Sequence, residues 1–159
     1  MKSILYAFLT LLGLMGIAQA QDATVNPRYS IKGEAIYDKK TDLTWARCSV
    51  GQRWKGKLGC VGIVKTFSFD ESLLLGGKGW RVPSKDELPT IIDYGRKTQN
   101  QPPMIDAVAF PDMDLQKLVY WTSSPYSASD GWYVDFHEGN LDNDTRKSTN
   151  AVRLVKGKP

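Results

Sequence analysis

The chain has 159 residues, of which 42% are apolar, 11% aromatic and 24% charged. This length leaves room for one domain, and this composition is typical of a chain that buries a core, which excludes a disordered protein. The formal net charge of +4 is dispersed rather than gathered in a basic stripe, so we expect no nucleic-acid partner.

The first 20 residues carry the three parts of a secretory signal peptide in order. Lys2 supplies the positive start, residues 4–17 are apolar, and Ala18-Gln19-Ala20 supplies the small residues before a cleavage site. The apolar run is shorter than the about 20 residues of a spanning helix. We therefore expect residues 1–20 to be removed, leaving a periplasmic or secreted protein with no membrane span in the mature chain. An uncleaved anchor is the alternative.

Residues 21–30 are polar and are expected to form a flexible lead-in to a domain at residues 31–157. Apolar and polar side chains alternate in residues 31–37 and again in residues 43–47, around a polar turn. This period of two predicts two strands.

Cys48 and Cys60 are the only cysteines of the chain, and exported proteins mature in an oxidising compartment. We therefore predict that they form a disulfide, closing a loop rich in Gly and Lys. Neither has a His or a further Cys at ligand spacing, and the chain has one His, so we expect no metal site. We expect no cofactor either.

Two capping boxes predict helix starts, because in each the Ser and Glu side chains satisfy free backbone N–H groups. They are Ser68 with Glu71 and Ser84 with Glu87. The first predicts a helix over about residues 69–75, ended by Gly76. The second predicts a helix running towards Gly95, in which Pro89 causes a bend or a late start.

A loop is predicted up to Val119, after which strand signals return at residues 120–124, 131–137 and 151–156. A polar turn is predicted at residues 139–144. Strands, two short helices and then strands indicate an α+β domain with an antiparallel sheet and long loops, rather than an alternating βαβ chain.

Several motifs follow one another in a fixed order. They are TDLTWARCSVGQ at 41–52, GWRVPSKDEL at 79–88, AFP at 109–111, YWTSS at 120–124, WYVDF at 132–136 and VRLV at 152–155. Over roughly residues 35–156 their order and spacing resemble the carboxy-terminal domain of the Legionella collagen-like protein family. The resemblance implies a C-type-lectin-like fold, in which the strand near Ile36 lies beside the strand near Leu154.

The same resemblance implies an exported protein, and the collagen-like adhesin of that family binds sulfated glycosaminoglycans through this domain. Collagen repeats are absent here, so the trimer that they assemble is not expected to carry over.

Most residues of these motifs have a structural explanation. The rings of Trp80, Trp121 and Trp132 are expected to fill the core more often than to stack on a sugar. Arg81 is expected to pair with Asp86, Glu87 or a backbone carbonyl instead of binding an anion.

An enzyme is not expected. Ser123 and Ser124 have only His137 as a candidate base, and no Gly-x-Ser-x-Gly elbow is present. Sulfatase-activating oxidases contain a similar Trp-Arg-x-Pro segment, but they depend on late cysteines, and no Cys follows Cys60.

The acidic segment 140–144 offers oxygen ligands at alternating positions, as a calcium loop does. It departs from the EF-hand pattern because Thr145 stands in place of the required Gly. A solvated hairpin turn is the preferred interpretation. A calcium ion near Asp135, Asp142 and Asp144 is the alternative.

The predicted disulfide loop is the strongest candidate binding surface. Arg53, Lys55 and Lys57 lie within five residues beside Trp54. Such cations can pair with sulfates or carboxylates while an indole packs on a sugar face. The alternative is that Trp54 tucks into the core and the Lys residues only solvate the loop.

Two classes of function follow. The first is a non-catalytic, adhesin-like module that binds a sulfated or acidic polysaccharide. The second is a protein-binding module of the cell envelope, such as an inhibitor or an immunity protein. Ionic strength separates them, because glycan binding through charges weakens steeply with salt and a packed protein interface does not.

Overall fold

A computed structural model describes residues 26–113 and 118–158 of the chain. The predicted signal peptide and residues 21–25 of the predicted lead-in lie outside these residues. Within the described ranges, no helix is long and apolar enough to cross a membrane.

The first sheet has four strands. They are β1 (Tyr29–Lys32), β2 (Ala35–Asp38), β3 (Leu43–Ala46) and β11 (Val155–Lys156), in the spatial order β1-β2-β3-β11. β1 begins inside the segment predicted as a lead-in. The single strand predicted at residues 31–37 is wrong, because Gly33, with a φ of 58°, turns the chain between β1 and β2.

The carboxy-terminal strand β11 pairs with β3, not with β2. Trp45 lies opposite Ile36 on one side and opposite Val155 on the other. The expectation that the strands near Ile36 and Leu154 are neighbours is therefore wrong, although both ends of the domain share this sheet. Tight turns place β1 and β3 on the two edges of β2, so β11 cannot pair with β2, and it pairs with the outer edge of β3.

The second sheet has five strands. They are β6 (Thr66–Phe67), β7 (Val119–Pro125), β8 (Asp130–Asp135), β9 (Asn140–Thr145) and β10 (Asn150–Ala151), in the spatial order β6-β10-β7-β8-β9. The predicted polar turn at residues 139–144 is mostly strand β9, an edge strand whose residues are exposed or half-buried. The sheet is also mixed rather than purely antiparallel, since β10 pairs with β7 in parallel.

Two short α-helices, α1 (Phe69–Ser72) and α2 (Tyr94–Thr98), complete the α+β fold. The capping box of Ser68 and Glu71 is formed, but α1 is shorter than predicted because the chain continues in single turns to Leu75. The prediction of a second helix running towards Gly95 is wrong. The segment Leu88–Ile91 is a 3₁₀ helix, Ile92 is extended, and Gly95 lies inside α2 rather than beyond the end of a helix.

The second sheet packs apolar side chains on both of its faces. Tyr120 belongs to the larger core cluster together with Trp45 of the first sheet, whereas the next residue, Trp121, belongs to a smaller cluster around Phe69. This follows from the alternation of side chains along β7. Of the three tryptophans predicted as core, Trp121 is fully buried, whereas Trp80 and Trp132 are only half-buried.

A buried ion pair joins distant parts of the chain in the core. The Nη2 of Arg153 lies 2.6 Å from the Oδ1 of Asp112, and both side chains are fully buried. Arg153 also donates from Nη1 to the carbonyl oxygens of Ala46 and Arg47, each at 2.8 Å. Burial by itself lowers the pKa of Arg153, but the Asp112 carboxylate reverses this, so that the pKa is raised overall.

Candidate functional site

Cys48 and Cys60 form the predicted disulfide. The loop that they close is a hairpin rather than an irregular loop. Strand β4 (Gln52–Trp54) pairs in antiparallel register with β5 (Cys60–Gly62), and Trp54 lies opposite Cys60. We call residues 52–62 the cationic hairpin.

The tip of the cationic hairpin is closed by its own backbone. The N–H of Lys55 donates to the carbonyl of Gly59 at 2.8 Å, and a 3₁₀ turn spans Gly56–Leu58. Arg53, Lys55 and Lys57 are all exposed, and within the described part of the chain none of them makes an ion pair. The hairpin therefore presents three unneutralised charges on a short, covalently closed frame.

Aliphatic side chains are exposed on and beside the same hairpin. Leu58 is 79% exposed at its tip, Val61 is 47% exposed on β5, and Ile63 is 78% exposed just beyond it. Val61 lies directly opposite Arg53 across the strand pair. The hairpin thus exposes aliphatic side chains as well as cations.

Trp54 is half-buried, so it is neither a core residue nor a fully exposed one. The guanidinium of Arg47 covers it, with Cζ 3.6 Å from the ring centroid, and also donates to the carbonyl of Val108 at 3.2 Å. Burial lowers the pKa of Arg47. The sequence motif containing Arg47 was visible, but nothing in it indicated that this cation stacks on Trp54.

A groove of about 290 Å³ runs beside the hairpin. The residues that line it include Glu34, Gln52, Arg53, Trp54, Trp80 and Leu154. The Nζ of Lys156 lies 4.5 Å from the centroid of the Trp80 ring. Trp80 was predicted as a core residue and Glu34 had no predicted role, because only the fold brings these two side chains to the same groove as Trp54.

Of the four predicted ligand-binding residues, Arg53 and Trp54 line this groove, whereas Lys55 and Lys57 lie at the tip of the hairpin. All four predicted residues therefore belong to one hairpin, two beside the groove and two at the tip. Glu34, from the turn before β2, and Trp80 add residues from outside the hairpin to the groove.

Arg81 makes the structural pairing that was predicted for it. Its Nη1 and Nη2 atoms donate to the two carboxylate oxygens of Glu87 at 2.7 and 2.6 Å, and Nη2 also reaches the carbonyl of Gly157 at 3.2 Å. Burial alone raises the pKa of Glu87, but hydrogen bonds from Arg81 and Ser84 outweigh it and lower the pKa overall. This bidentate pair leaves Arg81 occupied within the fold.

The serine and histidine candidates lie apart. Asp135 is opposite Val119 in the β7–β8 register, which places His137 beyond the start of β7, while Ser124 is near the end of that strand. The Nδ1 of His137 is 2.8 Å from Glu138, and the Ser124 hydroxyl accepts from the N–H of Lys85 at 3.1 Å.

The acidic residues considered for calcium are engaged with the backbone around them. Asp135 Oδ1 accepts the N–H of His137 at 2.6 Å, Asp142 accepts the N–H of Asn143 at 2.8 Å, and Asp144 accepts that of Thr145 at 2.7 Å. Among the residues that the structure describes, no three His, Cys, Asp or Glu side chains are grouped to hold a metal ion.

The comparisons with known proteins agree with the motif order. The family model of the Lcl C-terminal domain matches residues 34–156. This range includes the cationic hairpin, the groove and every strand of the two sheets except β1. No curated protein matches the chain. Because the matched segment covers most of the sequence, the chain belongs to the Lcl C-terminal domain family.

Proposed function

We propose that this protein is an exported, non-catalytic binding module, adhesin-like in character, whose cationic hairpin binds sulfated or otherwise acidic glycans. One observation carries the proposal: Arg53, Lys55 and Lys57 are exposed together on a hairpin closed by the Cys48–Cys60 disulfide. Membership of the family supports a binding module. We further propose that the domain is C-type-lectin-like, since its first and last strands share one sheet.

The expected strength of binding follows from the exposure of the three cations. An exposed ion pair contributes at most about 1 kcal/mol, so three pairs give modest affinity. Such charges are screened by salt, with a Debye length of about 8 Å at physiological ionic strength. A braced hairpin loses less conformational freedom on binding than a free loop does. We therefore expect weak, strongly salt-dependent binding of a sulfated polymer.

The second candidate function is a protein-binding module of the envelope, and the exposed aliphatic side chains favour it. Leu58, Val61 and Ile63 would be covered in a protein interface, and burying each would be favourable at about 25 cal/mol per Å². Such an interface would depend on apolar contact and only weakly on salt.

Heparin chromatography tests the first proposal. We expect the triple variant Arg53→Ala, Lys55→Ala and Lys57→Ala to lose retention at low salt without a change in melting temperature. The matched control removes three exposed lysines elsewhere, Lys32→Ala, Lys40→Ala and Lys147→Ala, and should be retained nearly as well as the wild type. Elution of the hairpin variant at the wild-type salt concentration would overturn the proposal and leave the protein-binding module as the better account.

A further inference from the structure

We infer that the groove between Trp54 and Trp80 is a subsite for one uncharged, hydroxyl-bearing sugar ring, next to the anionic group that the cationic hairpin holds. The inference rests on the proposed function and names its ligand class more narrowly: a glycan in which neutral rings alternate with sulfated rings.

The aromatic side chains of the groove are held in place. Arg47 lies on the Trp54 ring at 3.6 Å and Lys156 on the Trp80 ring at 4.5 Å from the centroids. Trp54 and Trp80 both line the groove and are only half-buried, so each keeps accessible surface beside it. The C–H face of a sugar ring can pack on such a surface, and rings that are already positioned lose little entropy on binding.

Two of the polar residues that line the groove carry side-chain acceptors without a protein donor in the described part of the chain. The Gln52 Oε1 atom is buried with no hydrogen-bond partner in the described part of the chain, and its Nε2 reaches only the carbonyl of Gly62 at 3.5 Å. The exposed carboxylate of Glu34 lines the groove beside it. A sugar hydroxyl in the groove can donate to the exposed Glu34 carboxylate.

The two charged residues that line the groove favour different parts of one ligand. Glu34 would repel a sulfate or a carboxylate placed next to it, whereas Arg53, which also lines the groove, would attract one. The neutral ring therefore lies towards Glu34, and the anionic group lies towards Arg53, Lys55 and Lys57. The volume of about 290 Å³ is at the lower end of small-molecule pockets, which suits one ring rather than several.

The test compares two polyanions by calorimetry at low salt. The first is a κ-carrageenan hexasaccharide, in which sulfated and unsulfated rings alternate, and the second is inorganic polyphosphate, which has no sugar ring. We expect Trp80→Ala to lower the affinity for the hexasaccharide by about five- to tenfold and to leave the affinity for polyphosphate unchanged. The matched control is Trp132→Ala, a half-buried tryptophan outside the groove, which should change neither affinity.

Glu34→Ala provides a second variant that keeps the fold, because Glu34 is exposed in a turn. We expect this substitution to lower the affinity for the hexasaccharide severalfold, because it removes a hydrogen-bond acceptor from the groove. Tighter hexasaccharide binding by Glu34→Ala would show that the groove prefers an anion and would overturn the inference.

The remaining outcomes separate the inference from the proposed function. If Trp80→Ala leaves the hexasaccharide affinity unchanged while the hairpin triple variant loses binding, the groove is not a sugar subsite. The proposed function then still stands. If Trp80→Ala lowers the affinity for both polyanions equally, the groove is also not a sugar subsite, because Trp80 would then act through the hairpin cations. Undiminished binding of both polyanions by the triple variant refutes the proposed function itself.

Discussion

The guanidinium of Arg47 lies 3.6 Å from the centroid of the Trp54 ring and so joins the end of β3 to the cationic hairpin. The next residue, Cys48, ties the same two parts of the chain together through its disulfide with Cys60. The hairpin is therefore anchored twice at its Trp54–Cys60 pair, next to the tip, once covalently and once by a cation on an aromatic ring. This double attachment holds Arg53 and the tip lysines at a defined position beside the groove.

The Arg47 contact should be measurable as a coupling energy. We expect Arg47→Met, which keeps much of the side-chain bulk but removes the charge, to lower the free energy of unfolding by about 1 kcal/mol. A double-mutant cycle with Trp54→Ala in urea should give a coupling of about 0.5–1 kcal/mol. Strict additivity of the two substitutions would show that the stacked geometry contributes nothing to stability.

Removing the disulfide should destabilise the domain through the unfolded chain. In the chain-entropy model, a loop of this size contributes about 3 kcal/mol, so Cys48→Ala with Cys60→Ala should lower the free energy of unfolding by roughly that amount. Urea unfolding of this variant is compared with that of the wild type, with and without reductant. Mass spectrometry of alkylated, unreduced protein should find no free thiol; two free thiols in the exported form would contradict the pairing.

Breaking the buried ion pair should cost more than replacing both of its partners. Arg153→Met leaves the Asp112 carboxylate buried without its partner, which should cost about 3–5 kcal/mol. Arg153→Met combined with Asp112→Leu removes both charges and should recover part of this loss, although the N–H of Ser49 then loses its acceptor. Thermal unfolding measures both variants. A double variant less stable than Arg153→Met would argue against the unpaired charge as the cause.

Acid should destabilise the fold through two carboxylates. Burial alone raises the pKa values of Asp38 and Glu87, but hydrogen bonds, chiefly from Arg28 and Arg81 respectively, lower both overall. The unfolded chain then binds these protons at higher pH than the native protein, so stability is complete above the ordinary values of 3.8 and 4.5. It should fall as the pH decreases through the lowered pKa values.

Urea unfolding at a series of pH values measures this loss. Glu87→Gln removes one of the two carboxylates, so the variant should be less stable near neutral pH and should lose less stability on acidification. Parallel stability curves for the variant and the wild type would show that Glu87 does not contribute to the acid response.

Local features of the sequence were sufficient where short-range chemistry decides the structure. The capping boxes of Ser68 with Glu71 and of Ser84 with Glu87 formed because their partners are three residues apart. The disulfide followed from two cysteines in a chain with a predicted export signal. The order and spacing of the motifs were enough to identify the family.

Errors arose where strand pairing overrides local character. The polar composition of β9 predicts a turn, yet its backbone pairs with β8 residue by residue from Asp130 to Asp135. The hairpin turn at Gly33 was missed because strand-forming residues flank it on both sides. Strand propensity depends on the neighbouring strand, which is not visible in a local window.

The sequence by itself determined the cations of the hairpin, its disulfide partners and the family. Only the tertiary structure decided that Arg47 covers Trp54, that Trp80 and Glu34 join Trp54 in one groove, and that Arg153 meets Asp112 in the core. The physical reason is that these contacts join residues far apart in the chain or depend on side-chain direction. Both are set by how the two sheets and the hairpin pack, and no spacing along the chain specifies that packing.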